Sequence, residues 1–183
     1  SCVYPIIWLF LASFKTNDEL YVNPWGLPEK FRIDNYLRAI FEGNVGTYYI
    51  NSIIITFVVV IVTICLGCMA SYAIARMNWK YSNITLNIFL LGMMIPIYAT
   101  IIPLFSMFKA MRLLNTRLAV IIPHIAFSFP MAIFIMTGFL STIPRDIEEA
   151  AVIDGCSIYR IFFQIIFPIA KSSIVTVAVI VFI

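Results

Sequence analysis

The fold is decided by one uncharged stretch, GNVGTYYINSIIITFVVVIVTICLGCMASYAIA, which runs from Gly43 to Ala75 and is followed by Arg76. A helix needs about 20 mostly apolar residues to cross the hydrocarbon layer of a bilayer, and this stretch is longer than that. Because the backbone in lipid must satisfy its own hydrogen bonds, the stretch predicts a membrane-spanning helix.

Two further stretches, Tyr81–Phe108 and Leu118–Pro144, also lack Asp, Glu, Lys and Arg. We predict spans at residues 50–75, 84–107 and 118–140. Residues 1–14 and 172–183 are apolar but shorter than a span, so we expect parts of two more helices in a chain truncated at both ends. The predicted fold class is all-α, a polytopic transmembrane helix bundle.

Composition supports the membrane class. Apolar residues make up 62% of the chain and charged residues 11%, against about 45–50% and about 25% in a soluble domain. The net charge is only +3 and its basic residues are scattered, which argues against nucleic acid as a partner. Cys65 and Cys68 form a C-x-x-C, but no second pair or nearby His accompanies them, so we interpret them as packing residues and predict no metal and no cofactor.

Residues 15–47 differ from the runs around them, because they carry charges together with Pro24, Gly26 and Pro28. This composition predicts a water-exposed connection with one short helix near Asp34–Phe41. Residues 48–183 then form the transmembrane domain. Aromatic rings in and beside the connection are candidates for the headgroup level: Trp25, Tyr36, Tyr48 and Tyr49.

Several residues within the spans predict local structure. Pro96 and Pro103 lie in one span and are expected to kink it. Small residues at the end of the first span would let another helix come close: Gly67, Ala70, Ser71 and Ala73. Arg76 is expected to anchor the helix at the headgroups. His124, the only histidine, has either a functional role or a hydrogen-bonded packing role.

A charged segment, residues 143–168 (IPRDIEEAAVIDGCSIYRIFFQIIFP), interrupts the apolar pattern. Carboxylates that follow Pro144 favour a helix start, and Gly155 is placed for a left-handed helix end. An apolar stripe from Ile158 to Ile166 predicts a second short helix. An amphipathic segment resting on the membrane surface is the alternative. No His accompanies the carboxylates and no G-x-x-x-x-G-K-[ST] loop occurs, so we predict no catalytic site and no enzyme.

This segment resembles the EAA loop of ABC importer permeases, whose pattern is E-A-A-x3-G-x9-I-x-L-P. Here the matching residues begin at Glu149-Ala150-Ala151 and end at Phe167-Pro168, with Phe167 in place of leucine. The whole chain is similar to the carbohydrate-uptake branch of the maltose and multiple-sugar type. The residues that carry this wider likeness are Ser13-Phe14-Lys15, Asn35-Tyr36, Asn51-Ser52, Ala70–Arg76, Ile95-Pro96, Ile102-Pro103-Leu104, Leu114-Asn115-Thr116 and Ile143-Pro144.

The resemblance implies a type I permease fold and a multi-pass protein of the cytoplasmic membrane. It implies that residues 143–168 form a cytoplasmic loop that docks on an ATPase, with docking residues Glu149, Ala150, Ala151, Asp154 and Gly155. The implied partners are an ABC ATPase dimer, a second permease subunit, an extracellular sugar-binding protein and membrane lipid. A sugar path would use hydroxyl, amide and aromatic groups within the spans, for which the candidates are Asn87, Tyr98, Thr100 and Ser128.

Charge counting favours the opposite orientation. Seven basic residues lie on the side of residues 15–49 and five on the side of residues 143–168, and basic residues are enriched in cytoplasmic loops. We give the resemblance precedence, because the docking loop must face the compartment that holds ATP. The connection 15–47 is then extracellular.

Other functions stay open. The same permease type could carry another solute, such as glycerol-3-phosphate or a polyamine. An ion-coupled carrier or channel is a further alternative, although such a protein is expected to place ionisable groups inside its spans, and the complete spans contain no Asp, Glu, Lys or Arg. A membrane enzyme would need a nucleophile, base or metal cluster near one membrane face.

Overall fold

The computed structural model describes residues 3–183. Ser1 and Cys2, the first two residues of the predicted segment 1–14, lie outside the described residues. The described chain divides into two compact units, one that ends at residue 52 and one of residues 53–183.

The first unit contains three helices: α1 (Val3–Ala12), α2 (Asn17–Val22) and α3 (Asp34–Phe41). The short helix predicted near Asp34–Phe41 is therefore confirmed. Thr16 caps α2, because its Oγ1 accepts a hydrogen bond of 3.1 Å from the Glu19 N–H. This capping fixes the start of α2 right after the first apolar helix.

Hydrogen bonds tie the start of the connection to α3. The Asn35 Nδ2 donates to the Ser13 carbonyl at 3.0 Å and to the Lys15 carbonyl at 2.9 Å. The Ser13 and Tyr36 hydroxyls are 2.5 Å apart. Lys15 is buried and donates through Nζ to the Asn23 carbonyl at 2.8 Å. The groups Ser13-Phe14-Lys15 and Asn35-Tyr36, which are separate in the sequence, thus form one cluster.

The second unit contains two long helices, and its elements follow one another with short breaks. The helix α4 (Val45–Arg76) begins at the end of the first unit and continues through the second. The elements after it are α5 (Ser82–Gly92), a 3₁₀ turn (Ile97–Thr100), α6 (Ile101–Ala110), α7 (Leu118–Leu140), α8 (Asp146–Ile153), α9 (Ile158–Ile161), a π-helical segment (Phe162–Ile166), α10 (Phe167–Ile169) and α11 (Lys171–Phe182).

The structure confirms two predicted spans and corrects the remaining one. By length and composition, α4 and α7 can each cross a membrane. The predicted span 84–107 is broken, because α5 and the helical segment Ile97–Ala110 meet at an angle of 85°. A second bent pair, Ile158–Ile169 and Lys171–Phe182, meets at 73°. Residues 3–183 therefore contain two unbroken candidate spans, or four if each bent pair counts as one.

Proline position explains where the span breaks. Pro96 stands in extended conformation between α5 and the 3₁₀ turn, and it has no N–H to continue a helix. The kink predicted at Pro96 is thus confirmed. Pro103 is the third residue of α6, within the first turn, where a helix tolerates a missing N–H; the kink expected there stays a prediction. Pro123 and Pro130 lie inside α7 without ending it.

Helices α4 and α7 approach each other through small residues. A Cβ atom added at Gly67 would lie 3.3 Å from the Cβ of Ala132. The Ser71 hydroxyl is fully buried and donates to the Ile133 carbonyl at 3.3 Å. The predicted close approach is confirmed for Gly67 and Ser71, which face α7.

One apolar core joins the spans to the charged segment. It contains residues of α4, α7 and α11 together with residues of α8, α9 and the π-helical segment. Its buried members are Cys68, Tyr72, Ala132, Met136, Leu140, Ile143, Ala151, Ile161, Phe162, Ile166, Ala170 and Val177. The packing role predicted for Cys68 is confirmed, whereas Cys65 is exposed and both thiols are free.

Candidate functional site

The charged segment forms two helices joined at a glycine, as predicted. Gly155 has a φ of +77°, a conformation that glycine adopts without a steric cost. The Cys156 N–H donates to the Ala151 carbonyl at 2.9 Å and the Gly155 N–H to the Val152 carbonyl at 3.0 Å. This pair of bonds is a Schellman motif, which ends α8 and turns the chain toward α9.

The predicted docking residues divide between the surface and the core. Glu149, Ala150, Asp154 and Gly155 are exposed. Ala151 is only 6% exposed and packs in the apolar core. Successive helical residues point about 100° apart, so Ala150 faces outward while Ala151 faces inward. Ala151 thus packs in the core, and the docking role predicted for the five residues stays a prediction.

Exposed apolar side chains surround the charged positions of this segment. Ile153, at the last position of α8, is 85% exposed. Other large apolar residues of the two helices and the π-helical segment are also exposed: Val152, Ile158, Tyr159 and Phe163. A groove of about 120 Å³ opens between the end of α4 and α9, lined by Met69, Tyr72, Met77, Ile158, Tyr159, Phe162 and Phe163. Clustered exposed apolar residues with a polar rim are typical of a protein-binding surface.

An ion pair connects the charged segment to α4. The Arg76 Nη2 lies 2.8 Å from the Glu148 Oε2, and Arg76 Nε donates to the same oxygen at 2.9 Å. Arg76 is 9% exposed. The prediction that Arg76 reaches the headgroups is wrong, because its guanidinium turns into the protein, where it meets a carboxylate.

The same guanidinium also binds the end of α7. Its Nη1 donates to the Leu140 carbonyl at 3.3 Å and to the Ile143 carbonyl at 2.8 Å, and its Nη2 donates to the Pro144 carbonyl at 3.3 Å. The last carbonyls of a helix have no intrahelical partner. Arg76 thus satisfies the end of α7 and the start of the charged segment together.

Sequence reasoning missed this arrangement. Glu148 was predicted only as a first-turn carboxylate, and the pair joins residues far apart in the chain. The available signal was an arginine at the end of a long uncharged run and a carboxylate beside a predicted docking residue. Neither feature specifies the other as its partner, because only the packing of α4 against α7 brings them together.

The candidate path residues also divide into two sets. Thr100 and Ser128 line a cleft of about 360 Å³ together with His124. Asn87 and Tyr98 are exposed and lie outside this lining. The remaining lining is apolar: Ile97, Ile101, Leu104, Pro123, Phe127, Met131, Ala132, Ile135, Val177, Ile180 and Val181. The Thr100 hydroxyl donates to the Ile97 carbonyl at 2.6 Å, and the His124 Nδ1 is 3.1 Å from the Val120 carbonyl.

Within residues 3–183 the regular structure is helical, and apolar spans share a core with a charged helix–glycine–helix segment; these features define the class of multi-pass helical membrane proteins. Comparison with known proteins gives the family. Residues 63–183 match the family described as "binding-protein-dependent transport system inner membrane component", and the chain belongs to this family. The predicted class, fold and membrane location are confirmed.

Curated relatives cover nearly the whole chain. The diacetylchitobiose uptake system permease of Streptomyces coelicolor is 34% identical over 97% of this chain and 59% of its own length. The trehalose transport system permease of Mycobacterium tuberculosis is 34% identical over 98% of this chain and 65% of its own length. The chain thus spans about three fifths of the length of these relatives.

A solved structure has the same fold. A bacterial ABC transporter involved in the import of the acidic polysaccharide alginate matches with a TM-score of 0.82 at 24% identity. The match covers 99% of this chain and 64% of that chain. The predicted all-α bundle of the ABC importer type is confirmed by this likeness.

Proposed function

We propose that this chain is a permease subunit of a binding-protein-dependent ABC transporter that imports sugars across the cytoplasmic membrane, with ATP hydrolysed by a separate subunit. The observation that carries the proposal is the two-sided packing of α8. One side exposes Glu149 and Ala150, and the other places Ala151 in the core that α4 and α7 share. A helix of this kind can receive force from a partner and pass it to the spans.

The docking surface consists of Glu149, Ala150, Asp154 and Gly155. Ala150 and Gly155 allow a partner backbone to approach closely, because neither carries a long side chain. The two carboxylates offer charged acceptors to basic groups of an ATPase. The exposed apolar residues around them, Ile153 above all, supply surface to be buried in the complex.

The proposed topology places residues 143–168 in the cytoplasm and residues 15–47 outside. The partners are an ATPase dimer, a second permease subunit and an extracellular sugar-binding protein, with lipid around the spans. Thr100 and Ser128 are the candidate path residues that share one cleft, and His124 joins them there. A polar set between spans suits transport by alternating access.

The cleft favours an uncharged solute over the alternatives. Within residues 3–183, its lining contains no Asp, Glu, Lys or Arg. A phosphate ester such as glycerol-3-phosphate calls for a cationic partner, and a polyamine calls for carboxylates. Relatives named for diacetylchitobiose and trehalose uptake point the same way.

The direct test is reconstitution of the complete transporter, with both permeases, the ATPase and the binding protein, in liposomes. We expect uptake of a radiolabelled di- or oligosaccharide only when ATP is present on the ATPase side. A Glu149→Cys variant should form a crosslink to a cysteine placed in the ATPase groove. Uptake without the ATPase, or ATP-dependent uptake of only charged solutes, would contradict the proposal.

A further inference from the structure

The Arg76–Glu148 pair does more than neutralise two buried charges. The Arg76 guanidinium donates four hydrogen bonds to four oxygens, which are Glu148 Oε2 and the carbonyls of Leu140, Ile143 and Pro144, and its Nη2 also lies 2.8 Å from Glu148 Oε2. These oxygens belong to α8, to the end of α7 and to the link between them. Since Arg76 is the last residue of α4, one planar group fixes three elements.

Stability alone does not account for this choice of residues. A buried ion pair is often no more stabilising than apolar residues of similar volume. Here Arg76 contacts only Oε2 of Glu148, so the guanidinium leaves the buried Oε1 without an N–H from this pair. The planar guanidinium of Arg76 sets a fixed distance and direction between α4 and α8, which an apolar contact would not do.

From this geometry we infer that Arg76 and Glu148 are positioning residues that make α4, the end of α7 and α8 move as one rigid body, so that motion of the docking helix is transmitted to the spans. The inference rests on the proposed function, because it assigns a route to the force that docking delivers. Neither residue is on the exposed docking surface, since the Arg76 and Glu148 side chains are 3% and 15% exposed.

The first test separates coupling from assembly. Arg76→Lys keeps the charge but has three donors on one nitrogen and cannot span the four oxygens, and Glu148→Gln keeps the shape but removes the charge. In the reconstituted transporter we expect both variants to assemble and hydrolyse ATP, while the sugar transported per ATP falls about tenfold. Arg38→Lys, an exposed arginine on α3, is the matched control and should keep the wild-type ratio.

The second test begins with the Arg76–Glu148 pair unchanged. Spin labels are placed at Met69 on α4 and Val152 on α8, both exposed, with the four native cysteines replaced. We expect the same inter-label distance with and without ATP, and a broadened distribution after Arg76→Lys. If both variants fail to assemble, the inter-label distance in the wild-type pair, with and without ATP, still tests the rigid connection.

The rigid connection and the proposed function are overturned by different results. A wild-type ratio in either variant, or a wild-type inter-label distance that changes when ATP binds, overturns the rigid connection and leaves the proposed function standing. Absence of ATP-dependent uptake by the wild-type complex overturns the proposed function itself.

Discussion

At the scale of single residues, the backbone conformation of Gly155 determines which residues are exposed at the end of α8. Its φ of +77° lets α8 end in two backbone hydrogen bonds and presents Asp154 and Gly155 outward. Apart from its own chain neighbours, no residue comes within 4 Å of where a Cβ would be. A side chain at this position therefore meets open space, and its cost comes from the backbone conformation alone.

Replacement of Gly155 should separate folding from coupling. We expect Gly155→Leu to lose about 1–2 kcal/mol locally, the cost of a left-handed L-residue, without unfolding the core. The leucine would project from the docking surface, so ATP hydrolysis should continue while sugar uptake falls. Paired uptake and ATPase assays in liposomes measure both quantities.

The control for this change is Gly155→Ala, which has nearly the same backbone cost and hardly any bulk. It should retain more uptake than the leucine variant. Normal uptake by Gly155→Leu would remove this residue from the docking surface.

At the scale of elements, the contact between α4 and α7 depends on the absence of a side chain at Gly67. A methyl group at this position would already lie 3.3 Å from the Ala132 Cβ, so a longer side chain has no room. Ser71, one turn further along α4, adds a buried hydrogen bond to the Ile133 carbonyl. The two helices thus come close at these two positions, and α8 packs against the same core.

Gly67→Leu should separate these helices. We expect a loss of about 1–3 kcal/mol, the usual cost of overpacking a close contact, seen as a lower unfolding temperature in detergent. Gly138→Leu is the matched control on α7, because Gly138 is exposed and a Cβ there meets nothing within 4 Å. Equal unfolding temperatures for the two variants would contradict the packing shown by the structure.

At the scale of the whole molecule, orientation in the membrane decides which partner meets which surface. The seven-to-five distribution of basic residues points one way, and the proposed docking of residues 143–168 on an ATPase points the other. The charge rule is weakest over long connections.

Labelling of single cysteines in intact cells tests the orientation. In a chain without native cysteines, Glu29→Cys should react with a membrane-impermeant maleimide added outside, whereas Glu149→Cys should react only after permeabilisation. Both side chains are exposed, so access differs only by the side of the membrane. Reaction of Glu149→Cys from outside would reverse the topology and exclude ATPase docking at this loop.

Much of the fold could be predicted from local pattern. Uncharged runs predicted α4 and α7, and a glycine after a carboxylate-rich turn predicted the end of α8. A kink in the predicted span 84–107 was expected, but the 85° break between α5 and the segment Ile97–Ala110 was not, because a run of apolar residues does not reveal how strongly a proline bends the helix. Pro96 lies at the break between α5 and the 3₁₀ turn, whereas Pro103 lies in the first turn of α6.

The sequence by itself determined the membrane class, the helical elements and the position of the charged segment, because these follow from hydrophobic length, charge and the backbone needs of Gly155. Only the tertiary structure decided that Ala151 faces inward, and that Arg76 binds Glu148 and the end of α7. The physical reason is that burial and ion pairing depend on which distant helices come into contact. That information is carried by the packing of α4 against α7 and is not contained in any local run of residues.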